Sequence, residues 1–140
     1  MYYAHYDLES GISQCVIKDI QEDNKGFIWI GTFDGLNRFD GTEFKIFRYL
    51  PDDSLSLPSS KIEKIFYDQD HHLWIQTPNG KVIFDIENGQ VTGKALYKKH
   101  DFKSVCLGKD KELWALSKSK KLLRIQASSL EVLSQSPTNN

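Results

Sequence analysis

No run of about 18 consecutive apolar residues occurs in the 140-residue chain, so nothing in it is expected to cross a bilayer as a helix or insert directly into a membrane. No secretory leader is expected in this stretch either, since Met1 is followed at once by Tyr2, Tyr3 and Ala4, which read as strand. An initiator placed directly on a strand points to a piece of something longer. Cysteine is scarce, and the two present, Cys15 and Cys106, exclude a disulfide framework. They stand at different positions of their repeats, so a single bridge is not expected either. Neither sign of charge dominates, with 18 Lys and Arg against 19 Asp and Glu and a net charge of -1. That leaves no basic field for nucleic acid and no polybasic patch for a lipid surface. No G-x-S-x-G elbow occurs, and neither cysteine has a histidine at a telling spacing, so nucleophilic catalysis has no motif here.

What the chain does have is aromatic residues, 12% of the total, and a period. The stretch FIWIGTFDGLNRFD (Phe27 to Asp40) returns as LWIQTPNGKVIFD (Leu73 to Asp85) and more faintly as LWALSKSKKLLRI (Leu113 to Ile125). Trp29, Trp74 and Trp114 mark the register, each after an aliphatic residue. Ile17, Ile20 and Asp23 match Ile62, Ile65 and Asp68, then Phe102, Val105 and Gly108. A period of this length signals an array of supersecondary units, so function is to be sought in the array and not in one catalytic cluster. Each Trp offers roughly 150–250 Å² to bury, and one unit alone would leave that face wet, so units must stack.

Within one period the sequence reads as four short antiparallel strands joined by Asp/Gly turns, the pattern of a propeller blade. In the first blade these are Val16 to Gln21, Phe27 to Phe33, Leu36 to Phe39 and Glu43 to Tyr49. Ile17 and Ile20 put apolar side chains on both faces of the first strand, which predicts that it lies between two layers. In the second blade the strands are Lys61 to Tyr67, Leu73 to Thr77, Lys81 to Asp85 and a weaker one near Gln90 to Tyr97. In the third they are Asp101 to Leu107, Leu113 to Ser117, Leu122 to Gln126 and Leu130 to Ser134. The fold expected is all-β, about three four-stranded antiparallel blades of a larger β-propeller. Its expected division is an outer strand and loop over 2–10, blades over 11–58, 59–99 and 100–135, and a disordered tail over 136–140. Three blades cannot close a ring of the ~4–8 that propellers use, so self-association through exposed blade faces is expected. The loop Pro51 to Ser60 is polar, holds two prolines and runs over the surface.

The run G-I-S-Q...V-I-K-D-I-Q-E-D-N-K-G-F-I-W-I-G-T-F-D-G-L-N-R-F-D-G-T-E-F-K-I-F, followed by the P-D-D-S-L-S loop, closely resembles the two-component regulator propeller repeat. The first repeat matches at Asp23, Gly26, Trp29, Gly31, Thr32, Gly35, Leu36, Arg38 and Asp40. The second departs, with Gln76 for the glycine, Pro78, and Lys81 where Leu36 stands; the third keeps little beyond Leu113 and Trp114. The resemblance implies a periplasmic sensor region of a hybrid two-component histidine kinase. It implies an oligosaccharide ligand, a signal passed to a kinase elsewhere in the full protein, and no catalysis or cofactor in this segment. Two alternatives are a propeller scaffold for a protein partner and a propeller-type lyase or hydrolase. The scaffold would be favoured by an apolar, exposed Tyr49 to Ser60, which reads instead as polar.

Candidate ligand contacts are turn and loop residues on the rim that receives inter-blade loops: Asp34, Arg38, Asp52, Asp53 and Asn79. For Asp34 a turn role, and for Arg38 a cross-strand pair, compete with this reading. Asp68-Gln69-Asp70-His71-His72 has metal-ligand residue types but occupies a hairpin turn, where such residues are common, so no metal is expected. His5 and His100 are read as surface residues. Lys109, Lys111, Lys118, Lys120 and Lys121 are read as a solvated strand edge before an anion site.

Overall fold

The computed structural model describes residues 11–13 and 16–136. The expected strand Tyr2 to Tyr6, His5, Cys15 and the last four residues lie outside them. Among the described residues twelve strands form three separate four-stranded antiparallel sheets, each a sequential meander. Blade one holds β1 (Ile17–Glu22), β2 (Ile28–Thr32), β3 (Gly35–Phe39) and β4 (Phe44–Phe47). Blade two holds β5 (Lys64–Tyr67), β6 (His72–Thr77), β7 (Gly80–Asp85) and β8 (Gln90–Thr92). Blade three holds β9 (Phe102–Leu107), β10 (Leu113–Ser117), β11 (Leu122–Gln126) and β12 (Glu131–Gln135).

Two apolar clusters lie between the sheets, so the blades stack as the tryptophan period requires. The first joins blades one and two around Trp29, which is fully buried; Phe84 meets it edge-on at 5.8 Å and Phe47 stacks on it at 5.8 Å. The second joins blades two and three, where Trp74 meets Phe102 edge-on at 5.3 Å. Aromatic contacts at these separations add to the burial of the rings themselves. Trp114, the third of the series, is only half-buried because no described blade covers its outer face.

The turn between the first two strands of a blade carries the device that seats each Trp. In blade one the buried Asp23 accepts the Trp29 indole N–H at 2.8 Å through one oxygen. Through the other it accepts the amides of Lys25 and Phe27 at 2.9 and 3.1 Å. In blade two Asp68 accepts the Trp74 indole at 3.3 Å and the amides of Asp70 and His72 at 3.0 and 3.2 Å. Blade three has Gly108 at that position, and the carboxylate comes from across the turn. Glu112 fills the space a side chain on Gly108 would need, accepts the Asp110 amide at 2.9 Å and lies near enough to the Trp114 indole to be influenced by it. Its own backbone amide, followed by that indole, holds the Glu112 carboxyl below its ordinary value of 4.5.

Several expectations need correction. The fourth strand of blade two stops at Thr92. Gly93 turns the chain with φ at +62°, and helix α1 (Lys94–Lys99) follows where strand was expected up to Tyr97. Lys94-Ala-Leu-Tyr-Lys-Lys is made of adequate helix formers, and from the helix Leu96 and Tyr97 pack against the inter-blade clusters. Strand β1 is not covered on both faces: Ile17 is 48% and Ile20 54% exposed, since blade two packs against one side only. His100 is buried, not at the surface, and stacks with Phe102 at 6.1 Å; burial, helped by Lys99 and Lys121, lowers its pKa. Strand β12 ends at Gln135, and the Ser136 amide after it donates to the Leu122 carbonyl at 2.9 Å.

Gly31 sets how closely blades one and two approach. A Cβ there would lie 2.6 Å from Cγ2 of Ile62. Gly31→Ala is therefore expected to cost about 1–3 kcal/mol by overpacking, and Ile62→Ala in the same chain should recover part of that cost in a denaturant-unfolding double-mutant cycle. Asp23→Ala should cost about 3 kcal/mol, since it orphans an indole and two amides. In blade three, Gly108→Asp should lower the melting temperature alone yet raise it in a Glu112→Ala background. Because the folded pKa of Glu112 is depressed, its contribution is full above the ordinary carboxylate value and is lost as pH falls through the folded one. The difference in melting temperature between the parent and Glu112→Gln should close over that acid range.

Candidate functional site

The hairpin between second and third strands recurs with a hydroxyl clip in every blade. Thr32 donates to the Gly35 carbonyl and accepts the Asp34 amide at 3.0 Å; Thr77 does the same with Gly80 and Asn79 at 2.8 and 3.1 Å; Ser117 accepts the Lys121 amide at 3.0 Å. All three hydroxyl residues are buried. Gly35 and Gly80 take φ of +130° and +117° at the same turn position, which side chains rarely tolerate. The up-and-down meander puts these hairpins on one rim, with the connections from blade to blade, and puts the Asp23 and Asp68 turns on the other.

Among the candidate ligand residues, Asp34 and Asn79 therefore occupy equivalent hairpins of adjacent blades. Asp34 forms an exposed ion pair with Arg48 at 3.2 Å, and the Asn79 side-chain amide donates to the Pro58 carbonyl at 3.1 Å, tying the inter-blade loop to blade two. That loop folds along the outer edge, where the Val91 amide donates to the Leu55 carbonyl at 2.9 Å. Asp53 closes a turn in the loop by accepting the Leu55 amide at 2.9 Å, and Asp52 is exposed beside it. Arg38 lies away from this rim: it pairs across β3 with Trp29 and Lys45, and its guanidinium sits 4.9 Å over the Phe27 ring. No two of the five side chains share a hydrogen bond or ion pair among the described residues. The loop is also less polar at its surface than its composition suggests, with Tyr49, Leu50 and Leu55 exposed.

The Asp68 to His72 stretch is a turn in which His72 is buried against Asp68 at 2.9 Å, while His71 reaches Asp70 and Glu87 at 3.3 Å each. Among the described residues no group of three or more His, Cys, Asp or Glu side chains is placed to hold a metal ion. The five lysines of blade three divide between its two ends, Lys109 and Lys111 on one and Lys118, Lys120 and Lys121 on the other, so they form no single patch.

The two junctions between blades differ in one transverse row of side chains. In blade one the row is Asp19, Gly31 and Leu36, neighbours across β1, β2 and β3. Asp19 accepts the Ile65 amide of blade two at 2.9 Å, Gly31 admits Ile62, and Leu36 is fully buried. The Ile62 amide also donates to the Thr32 carbonyl at 2.8 Å, so this junction is shut. In blade two the row becomes Lys64, Gln76 and Lys81. A lysine cannot accept the amide that Asp19 accepts, and Gln76 fills the space that Gly31 leaves for its neighbour. The junction with blade three stays open as a cavity of about 290 Å³. Lys81 spans it, its ammonium donating to the Phe102 and Lys103 carbonyls at 2.7 and 2.8 Å; burial, then the Lys118 charge, depresses its pKa. Sequence reasoning noticed Gln76 and Lys81 only as departures from the first repeat. The signal was their spacing, which with Lys64 makes one row across three strands.

Residues 10–34 match the model of the two component regulator propeller. A curated relative, histidine kinase P4 of Formosa agariphila, is 53% identical over 47 residues; the match covers 34% of this chain and 3% of that protein. Two crystal structures of the extracellular domain of BT4673 from B. thetaiotaomicron share the fold. One, described as a one component system, aligns with a TM-score of 0.57 at 20% identity over 88% of this chain and 18% of that one. The other, described as a hybrid two component system, aligns with a TM-score of 0.52 at 19% identity over 88% and 19%. The chain thus spans less than a fifth of each of these proteins. Residues 10–34 thus carry the two-component regulator propeller repeat, and the chain shares its propeller-like array of four-stranded blades with those extracellular domains.

Proposed function

We propose that this chain is part of the ligand-sensing propeller of a two-component signalling protein. It stands on the periplasmic side, recognises an oligosaccharide and passes the binding event to a histidine kinase elsewhere in the full protein. The observation that carries this reading is the repeat at residues 10–34, seated in a stacked blade array like those of extracellular domains of such systems. The segment acts by binding, with Asp34, Asp52, Asp53 and Asn79 as rim contacts; Arg38 would serve only a ligand that reaches the opposite end. Blade faces left uncovered, with Ile17 and Ile20 on one side and Leu122 and Leu133 exposed in blade three, are surfaces for further blades of the parent or for a second copy. Ligand binding would alter the packing of these blades against their neighbours, and the kinase would respond to that shift in population.

A second reading has its own observation. Tyr49, Leu50 and Leu55 are exposed on one loop, and an exposed aromatic residue beside two leucines suits a protein partner. Calorimetric titration of the intact extracellular region and of this chain against a panel of oligosaccharides separates the readings. The sensing reading expects saturable binding by the intact region, weakened about tenfold or more by Asp34→Ala with Asn79→Ala. Heat from no oligosaccharide, with binding to a protein partner lost on Leu50→Ser with Leu55→Ser, would replace sensing by the scaffold.

A further inference from the structure

We propose that the cleft between blades two and three is a binding site for a carboxylated sugar ring, of the hexuronate class. The inference rests on the sensing reading for its choice of a sugar, and on the cleft itself for the charge and size of the ligand.

The cleft exists because the row Asp19–Gly31–Leu36 of blade one is replaced in blade two by Lys64–Gln76–Lys81. Each replacement removes something that shuts the first junction: an acceptor for the neighbour's amide, a gap for the neighbour's side chain, and a buried apolar group. The exchange also changes the charge. Three ammonium groups line the opening, from Lys64, Lys81 and Lys103, against one carboxylate, that of Asp19. Asp19 is occupied, its two oxygens accepting the Ile20 and Ile65 amides at 2.9 Å each. Neither Lys64 nor Lys103 has an ion-pair partner among the described residues; Lys81 feels the Asp101 carboxylate, itself paired with Lys118, and spends two of its three N–H groups on the Phe102 and Lys103 carbonyls. The side-chain amide of Gln76, half-buried between them, likewise has no partner among the described residues. A monoanion with hydroxyl groups supplies what these donors lack.

Behind the polar row lies an aromatic one. Phe66, Trp74 and Ile83 form the next row across the same three strands, and Phe102 closes it from blade three. Trp74 and Phe102 are buried against each other, so the ring of this row that a ligand would meet is the half-buried Phe66, whose face suits the C–H groups of a sugar ring. About 290 Å³ stands at the lower end of small-molecule sites, room for one ring and not for a long chain. Both the free acid and the terminal residue of an acidic oligosaccharide present that ring, and the probes below separate them.

The test is a titration of the 140-residue chain with D-glucuronate, D-glucose and acetate at constant ionic strength, following the indole N–H resonances of the three tryptophans. The proposal expects glucuronate to saturate and to shift the Trp74 resonance while Trp29 stays still, with glucose and acetate at least tenfold weaker. A digalacturonate arm that binds tighter than the monomer assigns the source to an oligosaccharide end; equal affinity assigns it to the free acid, and both support the site. Lys64→Ala and Lys103→Ala change exposed side chains and should each weaken glucuronate about tenfold, the loss of one charge-assisted contact. Gln76→Gly with Lys81→Leu restores the blade-one residues and should abolish the Trp74 shift. Absence of saturation by both acids, equal affinity for glucose, or unchanged affinity in the lysine variants overturns the proposal. If glucuronate binds the cleft but leaves autophosphorylation of the intact kinase unchanged, the sensing reading fails and the site stands. If neither acid binds while neutral oligosaccharides alter autophosphorylation, the site fails and the sensing reading stands.

Discussion

The bond between a buried carboxylate and an indole N–H is the constraint on which the rest of the structure depends. A tryptophan brings enough apolar area to hold two sheets together, but its N–H cannot be buried without an acceptor. Asp23 supplies that acceptor from the turn just before the Trp strand and uses its second oxygen on the turn's own amides. One side chain thus closes the first hairpin, fixes the ring's tilt and makes burial of the ring favourable. The stacked clusters, and with them the spacing of the rim hairpins, follow from where those rings lie.

The blades are alike in this device and unlike in how they meet. The first junction is shut by a backbone bond from Ile62 to Thr32, a carboxylate on an amide, and a glycine that lets an isoleucine in. The second is held by a lysine lying across it onto two carbonyls and by the packing of Trp74 on Phe102. A propeller gains its rigidity from junctions of the first kind. Backbone and side-chain bonds both hold the first junction, whereas the second rests on side-chain contacts alone.

Much of this was legible in the sequence. The Trp register, the Asp/Gly turns and the alternation of apolar residues give twelve strands in three meanders because each is a local, repeated property. The misses are properties of relation. Ile17 and Ile20 are visibly apolar, but periodicity cannot tell which layer covers them, and on one side none of the described blades does. Lys94 to Lys99 alternates weakly enough to pass as strand, and only the turn at Gly93 and the anchoring of Leu96 and Tyr97 make it helix. His100 looked solitary because its partner is the ring of Phe102, two residues on but around the turn into β9. Of the candidate rim residues, Asp34 and Asn79 share a rim by the period alone, whereas the outward fold of the 50–57 loop and the placement of Arg38 needed coordinates.

Glu112 in blade three shows that the repeat is defined by a charge in a place and not by a letter at a position. Its carboxylate occupies the volume that belongs to Asp23 and Asp68 in the other blades, reached from the opposite strand. The two solutions exclude each other: a turn holding both carboxylates is too crowded, and a turn holding neither leaves an indole without an acceptor. Compared letter by letter the two arrangements look unrelated, although each sets a carboxylate in the same turn near an indole.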